Sequence, residues 1–275
     1  MAKVSPRVTT SAWLTMQPGQ PIENRLFEKV LKGTKVQDRY TGDIGDFSKL
    51  GLLRALHDAG LSIGLNWYLT PDETHNADGL HVKYLDQDKF RECDEGLWLE
   101  LKAIVKDGKR KVRFMENDSV LKATFFSECL DFSGKTKLKR RSYREEWYGR
   151  SLTAMDGKDV VCVDPDNGLI VPSAMGRPKE NKYVLREELA GYYAQGSSVI
   201  YYQHKARRKD AFYIRQHAEL VNSGGFLDAK GLVLKFNTTS QRYYMFIIQP
   251  KHWEGIEKTV SDLLTTSWAE HFCIL

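Results

Sequence analysis

Apolar residues in this chain come in short unbroken runs separated by amphipathic stretches. Ile63-Gly64-Leu65-Asn66-Trp67-Tyr68-Leu69 is one run, Val160-Val161-Cys162-Val163 a second and Ser198–Gln203 a third. Turn formers or charge end each of them: Thr70-Pro71-Asp72-Glu73, then Asp164-Pro165-Asp166-Asn167-Gly168, then His204. Such runs predict strands buried on both faces. Between them the spacing becomes helical. Leu50, Leu52, Leu53, Leu56 and Leu61 predict a helix with Asp46 at its N-cap, and Leu97, Leu101 and Ile104 give one apolar face to Asp94–Val105. Helices are also expected near Glu23–Leu31, from Ser142 to about Ala154, at Tyr183–Gln195, at Ala206–Ser223 (closed by Gly224-Gly225) and at His252–Leu264. Shorter strands are expected at Val82–Leu85, Lys111–Met115, Lys122–Ser127 and Trp268–Ile274. Leu232–Asn237 and Arg242–Gln249 read as a hairpin joined by Thr238-Thr239-Ser240.

Strands alternating with helices predict an α/β fold of three layers, Rossmann-like, with a mostly parallel sheet and a C-terminal antiparallel hairpin. Residues 1–45 read as an N-terminal extension packed on the core, and 46–275 as a single domain. Parallel sheets bind ligands beyond the carboxyl ends of their strands. Thr70–Glu73, Asp164–Gly168 and His204–Arg208 fall at three such ends, so they are expected to converge.

Composition narrows the class. With 275 residues, 41% hydrophobic and 28% charged, the chain has the balance of a globular protein, not of a disordered or fibrous one. No apolar run is long enough to cross a membrane and the first residues carry no secretion signal, so a cytoplasmic protein without membrane contact is expected. Cys93, Cys129, Cys162 and Cys273 are scattered and form no metal or redox pair. Oligomeric state is not set by any of these features.

Lys and Arg number 41 against 36 Asp and Glu, a net charge of +5 whose distribution says more than its size. Lys135, Lys137, Lys139, Arg140, Arg141 and Arg144 crowd one stretch beside Tyr143, Trp147 and Tyr148. Lys205, Arg207, Arg208, Lys209 and Arg215 crowd another beside Tyr201, Tyr202 and Tyr213. Cations interleaved with aromatic rings suit a nucleic acid, DNA sooner than RNA, with Arg140, Arg141, Arg207 and Arg208 on its backbone. The plain alternative is a solvated helix face.

Asp46-Phe47-Ser48-Lys49, Asp164-Pro165-Asp166-Asn167 and the hairpin Leu232–Gln249 together resemble the ribosomal RNA adenine-N6 methyltransferases. That family has a D-x-x-K-like helix before its first strand, a D-P-P-[YF] turn after its fourth and a hairpin near its C-terminus. The resemblance implies the fold given above and methyl transfer from S-adenosylmethionine. The chain departs from it where a glycine-rich cofactor loop would stand, having Tyr68-Leu69-Thr70-Pro71-Asp72-Glu73, and where the family's stacking ring would stand, having Asn167. From these departures no cofactor is expected. The string from Gly42 to Phe47, the Asp164–Gly168 turn and Tyr201-Tyr202-Gln203-His204 also resemble a group of bacterial proteins without an established activity.

The residues then suggest hydrolytic base excision, a DNA N-glycosylase acting on a flipped base, modified or not. Asp164 and Asp166 supply carboxylates at the end of a buried strand, and His204 supplies a proton donor. Asn66 and Asn167 would read a base edge, Trp67 and Tyr202 would stack on its face, and Lys49 would meet a phosphate. Structural alternatives are a turn cap for Asp164, caps for Asp43 and Asp46, and core packing for Trp67 and Tyr68. A metal on Asn66, Asp72, Glu73, His75 and Asp78 fits no specific spacing, and no metal is expected. The competing functions are methyl transfer, a metal-dependent nuclease and a non-catalytic nucleic-acid-binding domain. Phage defence is one setting for such an enzyme.

Overall fold

The computed structural model describes residues 38–72, 81–238 and 241–275. The described residues all belong to one compact unit. The helix expected near Glu23–Leu31 and the polar loop carrying His75 and Asp78 lie outside the described residues.

Helix α1 is Ile44–Asp58, followed by strand β1, Ile63–Asn66. A one-turn helix α2, Asp88–Arg91, and helix α3, Glu95–Lys106, lead to β2, Thr124–Phe126. Helix α4, Lys137–Ala154, precedes β3, Val160–Val163. The short pair β4, Gly168–Leu169, and β5, Tyr183–Val184, forms a small parallel sheet of its own. Then come α5, Arg186–Ala194, β6, Ser198–His204, and α6, Asp210–Val221. The chain finishes with β7, Lys230–Phe236, β8, Arg242–Ile248, α7, Trp253–Leu263, and β9, Phe272–Ile274.

The main sheet has seven strands in the order β2-β1-β3-β6-β8-β7-β9. β2, β1, β3 and β6 are parallel, while β8 lies antiparallel between β6 and β7, and β9 pairs antiparallel with β7. The expected mostly parallel α/β sheet with its C-terminal hairpin is therefore present. Alternate residues of one strand divide between two cores. Val160 and Cys162 pack with α1, α3 and α7 through Leu50, Leu53, Leu101 and Val260. Val161 and Val163 face α4, α5 and α6 through Trp147, Leu189 and Leu220. A strand buried on both faces has no polar alternation to show, which is why it reads as a plain apolar run.

Several local expectations are corrected. The N-cap of α1 is Asp43, whose carboxylate accepts from the backbone N–H of Gly45 at 2.7 Å and of Asp46 at 3.1 Å. Asp46 sits in the first turn instead, accepting from the Gly42 N–H at 2.9 Å. Val82–Leu85 and Lys111–Met115 are not strands; 3-10 turns cover Lys83–Asp86 and Val112–Phe114. The helix expected from Ser142 begins earlier, at Lys137, where Thr136 caps it, so most of the basic run is helical. Trp268 belongs to a 3-10 turn, and the last strand starts only at Phe272. Among the described residues no helix is long and apolar enough to cross a membrane.

Candidate functional site

A cavity of about 640 Å³ opens at the carboxyl edge of β1, β3 and β6, a size that suits a nucleoside or a small cofactor. The first turns of α1 contribute Asp43, Gly45, Asp46 and Lys49; the exit of β1 contributes Trp67, Leu69 and Thr70. Asp164, Asp166 and Asn167 follow β3, Tyr202 and His204 end β6, and Lys179 and Lys182 come from the segment before β5. β8 runs against β6, so its first residue, Arg242, pairs in register with His204 and enters the cavity from the same edge.

Lys49 is the centre of the polar wall. Its ammonium bonds to Asp46 at 2.8 Å and to Asp164, and lies 4.4 Å from the centre of the Trp67 ring. Burial works against that charge, but Asp164 and Asp46 outweigh it and hold the ammonium protonated well past the ordinary lysine range. Burial pushes the Asp164 carboxyl above the ordinary aspartate value, Lys49 draws it back, and Asp46 adds to the rise. Asp43 is raised in the same way by burial and by Asp46, with Arg242 opposing. Arg242 lies flat on the helix start because residue 45 has no side chain: a Cβ there would meet Nη1 at 1.7 Å. Among the described residues four carboxylates (Asp43, Asp46, Asp164, Asp166) and four cations (Lys49, Lys179, Lys182, Arg242) line the cavity, so its formal charges balance, and the buried pairs among them are little screened. At the outer edge Asp166 meets Lys182 at 3.4 Å. Burial lifts the Tyr202 hydroxyl to about 12, so it stays protonated, and that hydroxyl lies 3.4 Å from His204 Nδ1.

Asp164, Asp166, His204, Lys49, Trp67, Asn167 and Tyr202 are thus brought together at one cavity. Asn66 is not. It is fully buried, donating to Ser151 Oγ at 2.7 Å and to the Tyr192 hydroxyl at 3.1 Å, and accepting from the Tyr68 N–H at 2.9 Å. With its side chain occupied in this way it has no edge to offer a base. Arg140 donates to the carbonyls of Lys135 and Gly176, and Arg141 pairs with Glu145 at 3.0 Å; neither lines the cavity. Arg207 and Arg208 are exposed beyond His204, and Arg208 lies 5.5 Å from the Phe212 ring. Of the aromatic residues set beside the basic runs, Trp147, Tyr201 and Tyr213 are core residues without a free face.

Arg242, Lys179 and Lys182 escaped the sequence reading. Arg242 had a signal: an antiparallel strand paired with β6 must begin where β6 ends. Among the described residues no group of His, Cys, Asp and Glu is arranged to hold a metal; Glu73, His75 and Asp78 lie outside them.

The exit of β1 does not fit the amino-acid end of S-adenosylmethionine. Tyr68 takes φ +48°, the turn a glycine would make without cost. Its N–H is held by Asn66, however, and the Trp67 N–H by the Phe126 carbonyl at 3.1 Å. Those two amides are already bonded within the protein and do not face a carboxylate ligand, and Trp67 and Leu69 fill the wall beside them. No family model matches the chain, and no curated protein is similar to it.

Proposed function

We propose that the chain is a hydrolase acting on DNA, releasing a base flipped into this cavity. One observation carries the reading: Asp164, fixed by Lys49 at the end of the central strand, is a held carboxylate whose side chain stays 20% exposed in the cavity wall. Cleaving an N-glycosidic bond builds positive charge on C1′ and the ring oxygen, by analogy with glycoside hydrolysis. A held carboxylate lowers that barrier without reorganising. The electron pair of the C1′–N bond leaves with the base, which takes a proton from His204. Water adds to C1′, and the proton it gives up restores His204. Tyr202 supplies ring surface for the flipped base, Asn167 an amide for its edge, and Asp166 orients the water. Trp67, 4% exposed beneath the Lys49 ammonium, is wall and not a stacking face, in keeping with its core-packing alternative. Lys179 and Lys182 of the cavity wall and the exposed Arg207 and Arg208 after β6 hold the flanking backbone in this reading.

The test is incubation with duplex and single-stranded DNA, followed by mass spectrometry for free base and alkali treatment for abasic sites. Base release that Asp164→Asn abolishes is expected. Strand scission that needs an added divalent metal, with no free base, overturns the reading in favour of a nuclease.

A second reading, methyl transfer, is favoured by one fact: the D-x-x-K helix and the D-P turn meet through Lys49 and Asp164, 115 residues apart. The occupied amides at Trp67 and Tyr68 oppose it. No thermal stabilisation by S-adenosylmethionine is expected; a clear rise in melting temperature, absent with adenosine, puts methyl transfer first.

A further inference from the structure

Two exposed apolar side chains stand among exposed lysines and arginines. Leu138 is 78% exposed and Met175 58% exposed. They belong to segments that touch: Arg140 donates to the Gly176 carbonyl at 2.9 Å, and a Cβ on Gly176 would meet the Lys137 side chain at 2.9 Å. The chain after Met175 is tied down. Asn181 donates to the Leu130 carbonyl at 2.9 Å, and Arg144 donates to the carbonyls of Glu180 at 3.0 Å and Tyr183 at 2.6 Å. That same segment supplies Lys179 and Lys182 to the cavity wall. Lys137, Lys139, Arg141 and Arg177 are exposed around the pair.

A single exposed leucine needs no account. Two unbranched or γ-branched apolar side chains on adjoining segments, inside a cationic field and four residues from a cavity, are a different matter. The surrounding charge selects a polyanion over an apolar protein surface. Proteins that unstack a duplex push Leu, Met, Phe or Ile between base steps while cations hold the backbone. An enzyme that turns a base out of the stack also needs something to occupy the space it leaves.

We propose that Leu138 and Met175 form a wedge that enters duplex DNA beside the target base and holds the stack open while the base occupies the cavity. The proposal rests on the base-excision reading above and names the surface by which the duplex is engaged.

The test uses a DNA duplex carrying 2-aminopurine, whose fluorescence rises on unstacking, and the single strand of the same sequence. Wild-type protein is expected to raise duplex fluorescence. The Leu138→Ala/Met175→Ala variant is expected to keep its melting temperature, and its single-strand affinity to within about twofold, because both side chains are exposed. Its duplex fluorescence rise and duplex affinity are expected to fall about tenfold, the cost of unstacking without a filler. A double variant that unstacks the duplex as well as wild type overturns the wedge and leaves base excision standing. Equal losses on duplex and single strand overturn it too, marking a general contact. Absence of any DNA binding by the wild-type chain at low salt overturns both proposals.

Discussion

Two buried clusters of cation and carboxylate lie on opposite faces of the sheet, and they differ in what they leave unfinished. Arg144 from α4 holds Glu188 of α5 with two bonds, 2.6 and 2.8 Å. Its remaining donors reach the carbonyls of Glu180 and Tyr183. Glu188 in turn accepts from the Tyr68 hydroxyl at 3.1 Å and the Leu185 N–H at 2.8 Å. Both side chains are 4% exposed. Lys49 from α1 also holds carboxylates, but Asp164 keeps 20% of its side chain exposed, toward the cavity. The first cluster is closed: every group is answered by protein, and its work is to fix the turn at Tyr68. The second faces a space. Charge alone does not mark a site; a held charge left partly uncovered at a cavity does.

Breaking the closed cluster should have the largest effect. Arg144→Met leaves Glu188 buried without its cation and is expected to cost about 3–5 kcal/mol of stability. Asp164→Asn leaves the buried Lys49 its bond to Asp46 and an amide oxygen in place of the carboxylate, and is expected to cost less than Arg144→Met. Urea unfolding of the two variants compares them directly. Equal losses would make the Lys49 cluster another structural ion pair.

The complementary measurement is turnover. Asp164→Asn is expected to lower base release by about 10²–10³-fold, the usual loss when a charge-stabilising group is removed, with DNA affinity unchanged. Glu188→Gln should leave turnover per folded molecule near wild type, once the folded fraction is measured by circular dichroism. Loss of release in Glu188→Gln at full folding would mean that the closed cluster also acts on the site, through Tyr68.

This contrast explains what was legible in the chain and what was not. β3 and β6 were plain because an apolar run buried on both faces can be little else. The three strand ends converge in part: Thr70, Asp164 and His204 line one cavity, while Arg207 and Arg208 pass beyond it. Lys49 reads from the sequence as a phosphate contact, since its two carboxylates lie on its own helix turn and 115 residues away. Arg144 read as part of a basic run because its neighbours are exposed, although helical periodicity turns it inward beside Trp147. Val82–Leu85 alternates like a strand, yet it is a 3-10 turn packed through Tyr84 against Phe47 and Phe90. No local pattern separates those outcomes.

A smaller effect sharpens the comparison through pH. Base release needs ionised Asp164, so the rate should fall as pH drops through its folded pKa. Burial sets that pKa above the ordinary aspartate value of about 3.9, so the acid limb should lie above that value. Lys49→Met removes the charge that draws the pKa down, and the limb should move to higher pH. Asp46→Asn removes a charge that pushes it up, and the limb should move to lower pH. Opposite shifts assign the limb to a carboxylate of the Lys49 cluster, Asp164 or Asp43, both of which Asp46 raises and Lys49 lowers; shifts in one direction, or none, assign the limb elsewhere.

The smallest expected effect applies the same distinction to the surface cations. Affinity for DNA falls with salt in proportion to the phosphates contacted, so each contact removed flattens the slope of log affinity against log salt by about one. Arg207 and Arg208 are exposed at the end of β6. Replacing both by alanine should flatten the slope by about two, in line with two lost phosphate contacts. Arg140 lies in a basic run just as dense, yet its guanidinium already donates to the Lys135 carbonyl at 3.1 Å and the Gly176 carbonyl at 2.9 Å. Arg140→Ala should therefore release the segment that carries Met175 and Lys179, weakening binding at every salt concentration while leaving the slope nearly unchanged. Titrations of fluorescent duplex across a salt series separate the two outcomes. If Arg140→Ala flattens the slope as much as the Arg207/Arg208 pair does, its carbonyl bonds give way to phosphate on binding, and it belongs with the open cations.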